Sequence, residues 1–280
     1  MQRASTWMAR FPPGELRFDS AVILSQIRTS ADSAMLRSAF ETARARADVD
    51  VDHPHRRFWD PNLRSAAKDT AGWTAPAAGS PRVNPNLVVS EALHCTENGF
   101  RPETTAYVCG AMRDAGGYHT THGLWALALA RDRGCVDAGA VAACVAALQA
   151  ETAAAQPEAL RPGRTLDVDL YGERLLMLIL SGATDPVSEK AIERSVDGLL
   201  AARDADGSFG VRAPDELPYH RFHATGVATW ALAEWQRRET SRTVDAKAAP
   251  TDAPSGTTPP GAAAPTAPAA PPAAPSIPSP

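Results

Sequence analysis

Helices apolar on every side alternate along this chain with helices apolar on one side only. The run Leu175-Leu176-Met177-Leu178-Ile179-Leu180 has no polar position, so a helix built from it must be surrounded by protein. The segment that follows, 187–203, collects Ile192, Val196, Leu199 and Leu200 on one stripe and can turn its other side to water. Val141, Cys144, Val145 and Leu148 make a similar stripe, as do Leu36, Phe40, Ala43 and Ala47. This alternation predicts inner helices, each followed by an outer one. Five inner helices are expected, starting near residues 18, 85, 120, 168 and 223. Strand signals are almost absent, and the predicted class is all-α.

Three of the inner segments share a local pattern in which polar and aromatic residues lead into a glycine and an apolar run. They are 118–128, 166–176 and 219–233, registered on Gly123, Gly172 and Gly226. The spacings, 49 and 54 residues, are those of a helical-hairpin repeat. Each hairpin repeats the same up-and-down path, so the inner helices should all begin at one end. Residues 48–82 hold His53, Pro54, His55, Pro61, Pro76, Gly79 and Pro81 and read as an irregular excursion. From about Asp245 the character changes, with eleven of the 24 prolines lying between 250 and 280 among Ala, Thr and Ser. Such a composition cannot bury a core, so the chain divides into a helical domain, 1–244, and a disordered Pro/Ala/Thr-rich tail, 245–280.

Charge narrows the list of partners. The formal net charge is −4 with no basic stripe, which argues against nucleic acid. No apolar run approaches the ~20 residues that span a bilayer. Met1 to Arg10 lacks the apolar core of a signal peptide, which leaves a cytoplasmic location as the default expectation. The four cysteines, at 95, 109, 135 and 144, show no CxxC spacing and are expected to be buried thiols.

The segment Leu199-Leu200-Ala201-Ala202-Arg203-Asp204-Ala205-Asp206-Gly207-Ser208-Phe209-Gly210, followed by the inner run from His223 to Ala233, resembles a repeat of the α/α toroids. It is similar to the loops of terpenoid cyclases and protein prenyltransferases, in which Asp-Gly-aromatic-Gly precedes an inner helix. Asp114-Ala115-Gly116-Gly117-Tyr118 is a weaker copy. The resemblance covers about residues 84–237 and implies a ring of helical hairpins around a central cavity. Five inner helices are one short of the usual six, so the ring is expected to be incomplete: truncated, open, or closed by a partner or a second copy. Several motifs depart from the family pattern. Asp167-Val168-Asp169-Leu170 has only the first two acids of Asp-x-Asp-Asp, there is no Asp-Asp-x-x-Asp, and no Asp-x-Cys zinc set is present. The resemblance therefore carries a fold and leaves the reaction open.

Registering the inner helices puts Asp19, Asn86, Thr120, Asp169 and His223 at one level, with His119, His122, Asp167 and Thr225 within a turn. Free N–H groups at helix starts would draw an anionic group to that rim, although Asp19, Asn84 and Asp167 are also ordinary helix caps. His119 and His122 are three apart, as are His220 and His223, which places each pair on one side of a turn. Together with Asp169 they could hold a divalent transition metal such as zinc, iron or manganese, with His119, His122, His223 and Asp169 as ligands. Without a metal, His119, His122, Asp169, Glu173 and His223 would act as acids and bases. Asp19, Asn86, Tyr118, Asp167, Tyr171 and His220 are the expected substrate contacts. Trp125 and Trp230 are read mainly as core, while His94-Cys95 and His53-Pro54-His55 are left outside the site. An enzyme acting in this cavity is one reading. The other is a non-catalytic ring that binds a small molecule, glycan, lipid or peptide.

Overall fold

A computed structural model describes residues 2–30, 34–47, 53–63, 84–161, 165–210 and 217–248. The described residues contain helices and no strands. In chain order the helices are α1 Gln2–Ala9, α2 Phe18–Ser30, α3 Ala34–Ala47, α4 Asn86–Leu93, α5 Cys95–Asn98 and α6 Pro102–Tyr107. After a π-helical turn, Val108–Met112, come α7 Arg113–Ala115, α8 Tyr118–Asp132, α9 Ala138–Ala159, α10 Val168–Leu180, α11 Pro186–Ala202 and α12 Pro218–Ala248. Helix α12 runs past residue 244, and 249–280, where the tail is expected, lie outside the described residues. Of the 48–82 excursion, 53–63 are described and include a 3₁₀ turn, Pro54–Phe58. Helix α1 had no counterpart in the sequence pattern. It packs on α3 and α12 and buries Ala4 and Met8.

Local chemistry sets the helix starts. The side chains of Asp137, Asp167 and Asp185 each accept from backbone N–H groups in the first turn of α9, α10 and α11. Pro186 then takes the first position of α11, where its missing N–H costs nothing. At the end of α10, Gly182 adopts a left-handed φ of 78°, and Ala183 N–H closes back on Leu178 C=O at 3.0 Å.

The predicted inner helices pack side by side in the order α4, α8, α10, α12, α2. The Pro54–Phe58 turn touches both α4 and α2, the two ends of that row. The one-faced helices lie behind them: α3 against α2, α9 against α8 and α10, and α11 against α9 and α10. Leu175, Leu176, Met177 and Leu178 are buried, as an all-round apolar α10 requires. The register glycines mark where backbones converge. A Cβ on Gly172 would lie 3.3 Å from the Cα of Ala228 in α12, and one on Gly226 would lie 2.6 Å from Ile23 Cγ2 in α2.

One sequence expectation changes here. The cysteines are not free thiols: Cys95 bonds to Cys135 and Cys109 to Cys144, so all four are paired. Sequence spacing cannot show this, because the partners are 40 and 35 residues apart and meet only when the hairpins pack. In addition, α9 is long and apolar enough, by length and composition, to cross a membrane. In this fold it packs on α8, α10 and α11, and Gln149 and Gln156 donate to Ser181, Ser195 and the Tyr171 carbonyl.

Two outcomes are expected. Gly226→Ala should lower the unfolding free energy by about 1–3 kcal/mol in urea titration, because the Ile23 side chain must give way. The protein unfolded without reductant should show no thiol reactive to Ellman's reagent, and reduction should cost about 2–4 kcal/mol per bridge by the same titration. Four reactive thiols in unreduced protein would overturn the pairing.

Candidate functional site

The starts of all five inner helices meet around one cavity of about 120 Å³. Its apolar wall is Val22 and Ile23 from α2, Leu176 and Met177 from α10, and Val227 from α12. Trp125 and Trp230 complete it with ring centroids 5.9 Å apart, so the tryptophans read as core also face a hollow. The polar wall is Asp19, Asn86, Tyr118, His122, Glu173 and His223, one or two side chains from each helix, together with His55. A wider cleft of about 560 Å³ opens beside it and shares Tyr118 and His223. Asp167, Asp169, Tyr219 and His220 line that cleft.

Hydrogen bonds run from helix to helix around the mouth. Tyr118 OH in α8 donates to Asp169 Oδ2 in α10 at 2.9 Å, and His223 Nδ1 in α12 donates to Asp169 Oδ1 at 2.8 Å. The same relation recurs one step on, where Tyr219 OH in α12 donates to Asp19 Oδ2 in α2 at 2.5 Å. The repeated unit is thus Tyr-x-x-x-His, at 118/122 and 219/223, rather than His-x-x-His. Deeper in, Glu173 Oε2 accepts from Thr121 Oγ1 at 2.8 Å. Its Oε1 lies 3.2 Å from His122 Nδ1, a contact too poorly aligned to count as a hydrogen bond.

These environments pull the protonation states apart. Burial pushes the Glu173 carboxyl up to about 8, helped by the charge of Asp169, so it is largely a neutral acid at pH 7. Burial lowers the His122 imidazole to about 4, leaving it neutral. Burial also disfavours charge on His223, but the hydrogen bond with Asp169 and that carboxylate's charge outweigh it and raise the imidazole to about 9. Asp169 shows the mirror effect: burial opposes its charge, yet the bond and charge of His223 hold it below the usual carboxylate range. Burial, then the nearby carboxylates, keep Tyr118 and Tyr219 protonated.

Several expected site residues lie elsewhere. His119 does not line the cavity: Tyr118, His122 and Trp125 form the inward stripe of α8, and at ~100° per residue His119 is turned off it. Tyr171, two residues from Asp169, points at the outer helix, with its OH reaching the Arg194 carbonyl at 3.4 Å and its ring against Gly198. Thr120 and Thr225 are buried outside the cavity, and Thr225 bonds to the backbone of Phe209. Asp167 caps α10 and lines the outer cleft, as does His220, so these two sit beside the cavity rather than in it. The proposed metal set does not assemble. His119 is off the cavity and Asp169 is bound by Tyr118 and His223. Among the described residues no group of three or more His, Cys, Asp or Glu is disposed to hold a metal ion.

His55 was set aside on sequence grounds, yet it forms part of the polar wall. Its Nε2 lies 3.0 Å from Ser90 Oγ, which itself donates to the Asn86 carbonyl, so His55 is the donor. Burial, then the neighbouring His53, lowers its imidazole to about 4. The turn is pinned from behind. His94 Nε2 meets the Pro54 carbonyl at 3.0 Å, while Arg57 reaches His94 Nδ1 at 3.1 Å and Glu97 at 2.7 Å. Phe58 stacks on Trp125 at 5.1 Å. No protein-family model matches the chain, and neither a curated protein nor a solved structure matches it.

The protonation states predict a pH profile. Glu173 and His223 bind protons more tightly folded than unfolded, so stability should fall as pH rises from about 4.5 to 8 for the first and from about 6.5 to 9 for the second. His122 and His55 bind protons less tightly folded, so stability should also fall as pH drops from about 6.5 to 4. Melting temperature should therefore peak near pH 6, and Glu173→Gln should flatten the decline between about pH 6 and 8. An unchanged slope in that variant would show that Glu173 ionises normally.

Proposed function

We propose that the domain is an acid–base enzyme that works on a small molecule in the cavity between the inner helices. The observation that carries this reading is the juxtaposition of two carboxyl groups, Asp169 and Glu173, one turn apart on α10 and held in opposite protonation states. Environments that push neighbouring titratable groups apart are how acid and base roles are assigned within one site. Glu173, protonated, would donate a proton to the ligand, and His122, neutral and beside it, would accept one from the ligand. The Asp169–His223 ion pair would set a fixed dipole at the mouth without net charge, with Tyr118 orienting the carboxylate. The residues present do not suit a metal shell, so no step is routed through one.

The fold behind this reading is an incomplete α/α toroid in the manner of terpenoid cyclases and protein prenyltransferases. Its five inner helices would be α2, α4, α8, α10 and α12, with the Pro54–Phe58 turn in the place of a sixth. Agreement between the helix order and the sequence resemblance supports it. Two disulfides with no cysteine left over favour an oxidising compartment over the cytoplasm. The open outer cleft, lined by Tyr118, Tyr219, Asp167 and His220, favours a second reading in which the ring only binds its ligand.

Turnover separates the two readings. Wild-type protein incubated with a small-molecule extract should deplete at least one compound in untargeted mass spectrometry. Glu173→Gln and His122→Gln, folded by circular dichroism, should each slow that depletion by about 10²–10⁴-fold. Depletion that is absent, or equal in all three proteins, would sink the enzyme reading.

A further inference from the structure

Among the described residues, one carboxylate in the cavity wall, Asp19, has no cation in contact with it, and this bears on what enters. Asp19 faces the cavity from α2 and receives one hydrogen bond, from Tyr219; among the described residues it makes no ion-pair contact, although it feels the imidazolium of His223 in the same wall. Neither the cavity nor the outer cleft is lined by a lysine or an arginine among the described residues. Of the carboxylates around the two hollows, Asp169 is held by the imidazolium of His223 and Asp167 interacts with the charge of Arg174, which leaves Asp19, among the described residues, with the Tyr219 hydroxyl as its hydrogen-bond donor. The same cavity also presents the indole rings of Trp125 and Trp230, set edge to face.

The field of the converging helix starts pulls the other way, toward an anion. That field is already met from within the chain: Asp19 sits in the first turn of α2, Asp167 caps α10, and Asp169 follows in its first turn. An incoming anion would displace nothing and would meet these carboxylates. A wholly neutral ligand would bury Asp19 further with only a tyrosine hydroxyl as partner, which is costly for a charge. A cation resolves both problems, since it neutralises Asp19 and meets the aromatic rings that line the same cavity.

We infer that the cavity takes a small organic cation, an ammonium group on a compact apolar body, seated between the Asp19 carboxylate and the rings of Trp125 and Trp230. The inference rests on this cavity being the site proposed above. A volume of about 120 Å³ suits a body no larger than a small ring or a tert-butyl group, since cavities of roughly 150 Å³ accept benzene.

Three probes sharing one apolar body test the charge preference: tert-butylammonium, tert-butanol and pivalate. Each is titrated into wild-type protein at pH 7 while the tryptophan indole N–H resonances are followed. tert-Butylammonium should bind at least about tenfold more tightly than tert-butanol, and pivalate most weakly. In Asp19→Asn the ammonium should lose most of that advantage while tert-butanol binding changes little. Equal affinities, a preference for pivalate, binding of none of the three, or an ammonium preference that survives Asp19→Asn would each overturn the inference. The acid–base reading is judged separately, by turnover in Glu173→Gln, and so the two can fail independently.

Discussion

Much of the mouth of this domain depends on how one carboxylate, Asp169, is kept charged among apolar helices. A carboxylate brought into such surroundings needs partners, and here they come from both neighbours: Tyr118 of α8 on one oxygen and His223 of α12 on the other. The two bonds tie three inner helices together at their starts and fix which face α10 turns inward. Glu173, one turn further along that face, is carried deeper, where burial and the charge of Asp169 both act against its ionisation. Keeping one carboxylate charged therefore makes its neighbour an acid. The same pair of effects, burial and a carboxylate partner, splits His122 from His223.

The elements most visible in the sequence are those with a period. The all-round apolar run of α10 and the one-sided stripe of α11 follow directly from 3.6-residue periodicity, and the structure places them inside and outside accordingly. The register glycines also carried spatial information: Gly172 and Gly226 lie where one inner helix presses on the next. Aligning three segments on glycines therefore aligned their distance from the mouth, which is why Asp19, Asn86, His122 and His223 gather around one cavity. The registration did not set rotation finely enough. It grouped His119 with His122, and Tyr171 with Asp169, although a helix turns ~100° per residue and sends each of these away from its neighbour.

What lacks a period was read poorly. His55 sits in a proline-rich stretch with no pattern to place it, and it reaches the cavity only because Arg57 and His94 pin its turn against the end of α4. His94 was rightly separated from the cavity, but its role was not legible. The two bonds it makes, accepting from Arg57 and donating to a carbonyl, exist only after segments nearly 40 residues apart have met. The cysteine pairings are hidden for the same reason.

The two ends of the inner helices thus solve different problems. Past the far ends of α4 and α8, Cys95 and Cys135 are linked covalently, and buried Arg57 and His94, with the exposed Glu97, hold the crossing turn in place. That rigidity lets the near ends carry unfavourable groups: a carboxyl without its charge, imidazoles without theirs, and an aspartate whose hydrogen bond among the described residues comes from a tyrosine. Groups of this kind cost stability wherever they are buried, and a domain built for packing alone would replace them with leucine. Their collection at one mouth, on five helices and one pinned turn, is the physical ground for treating that mouth as the working end of the molecule.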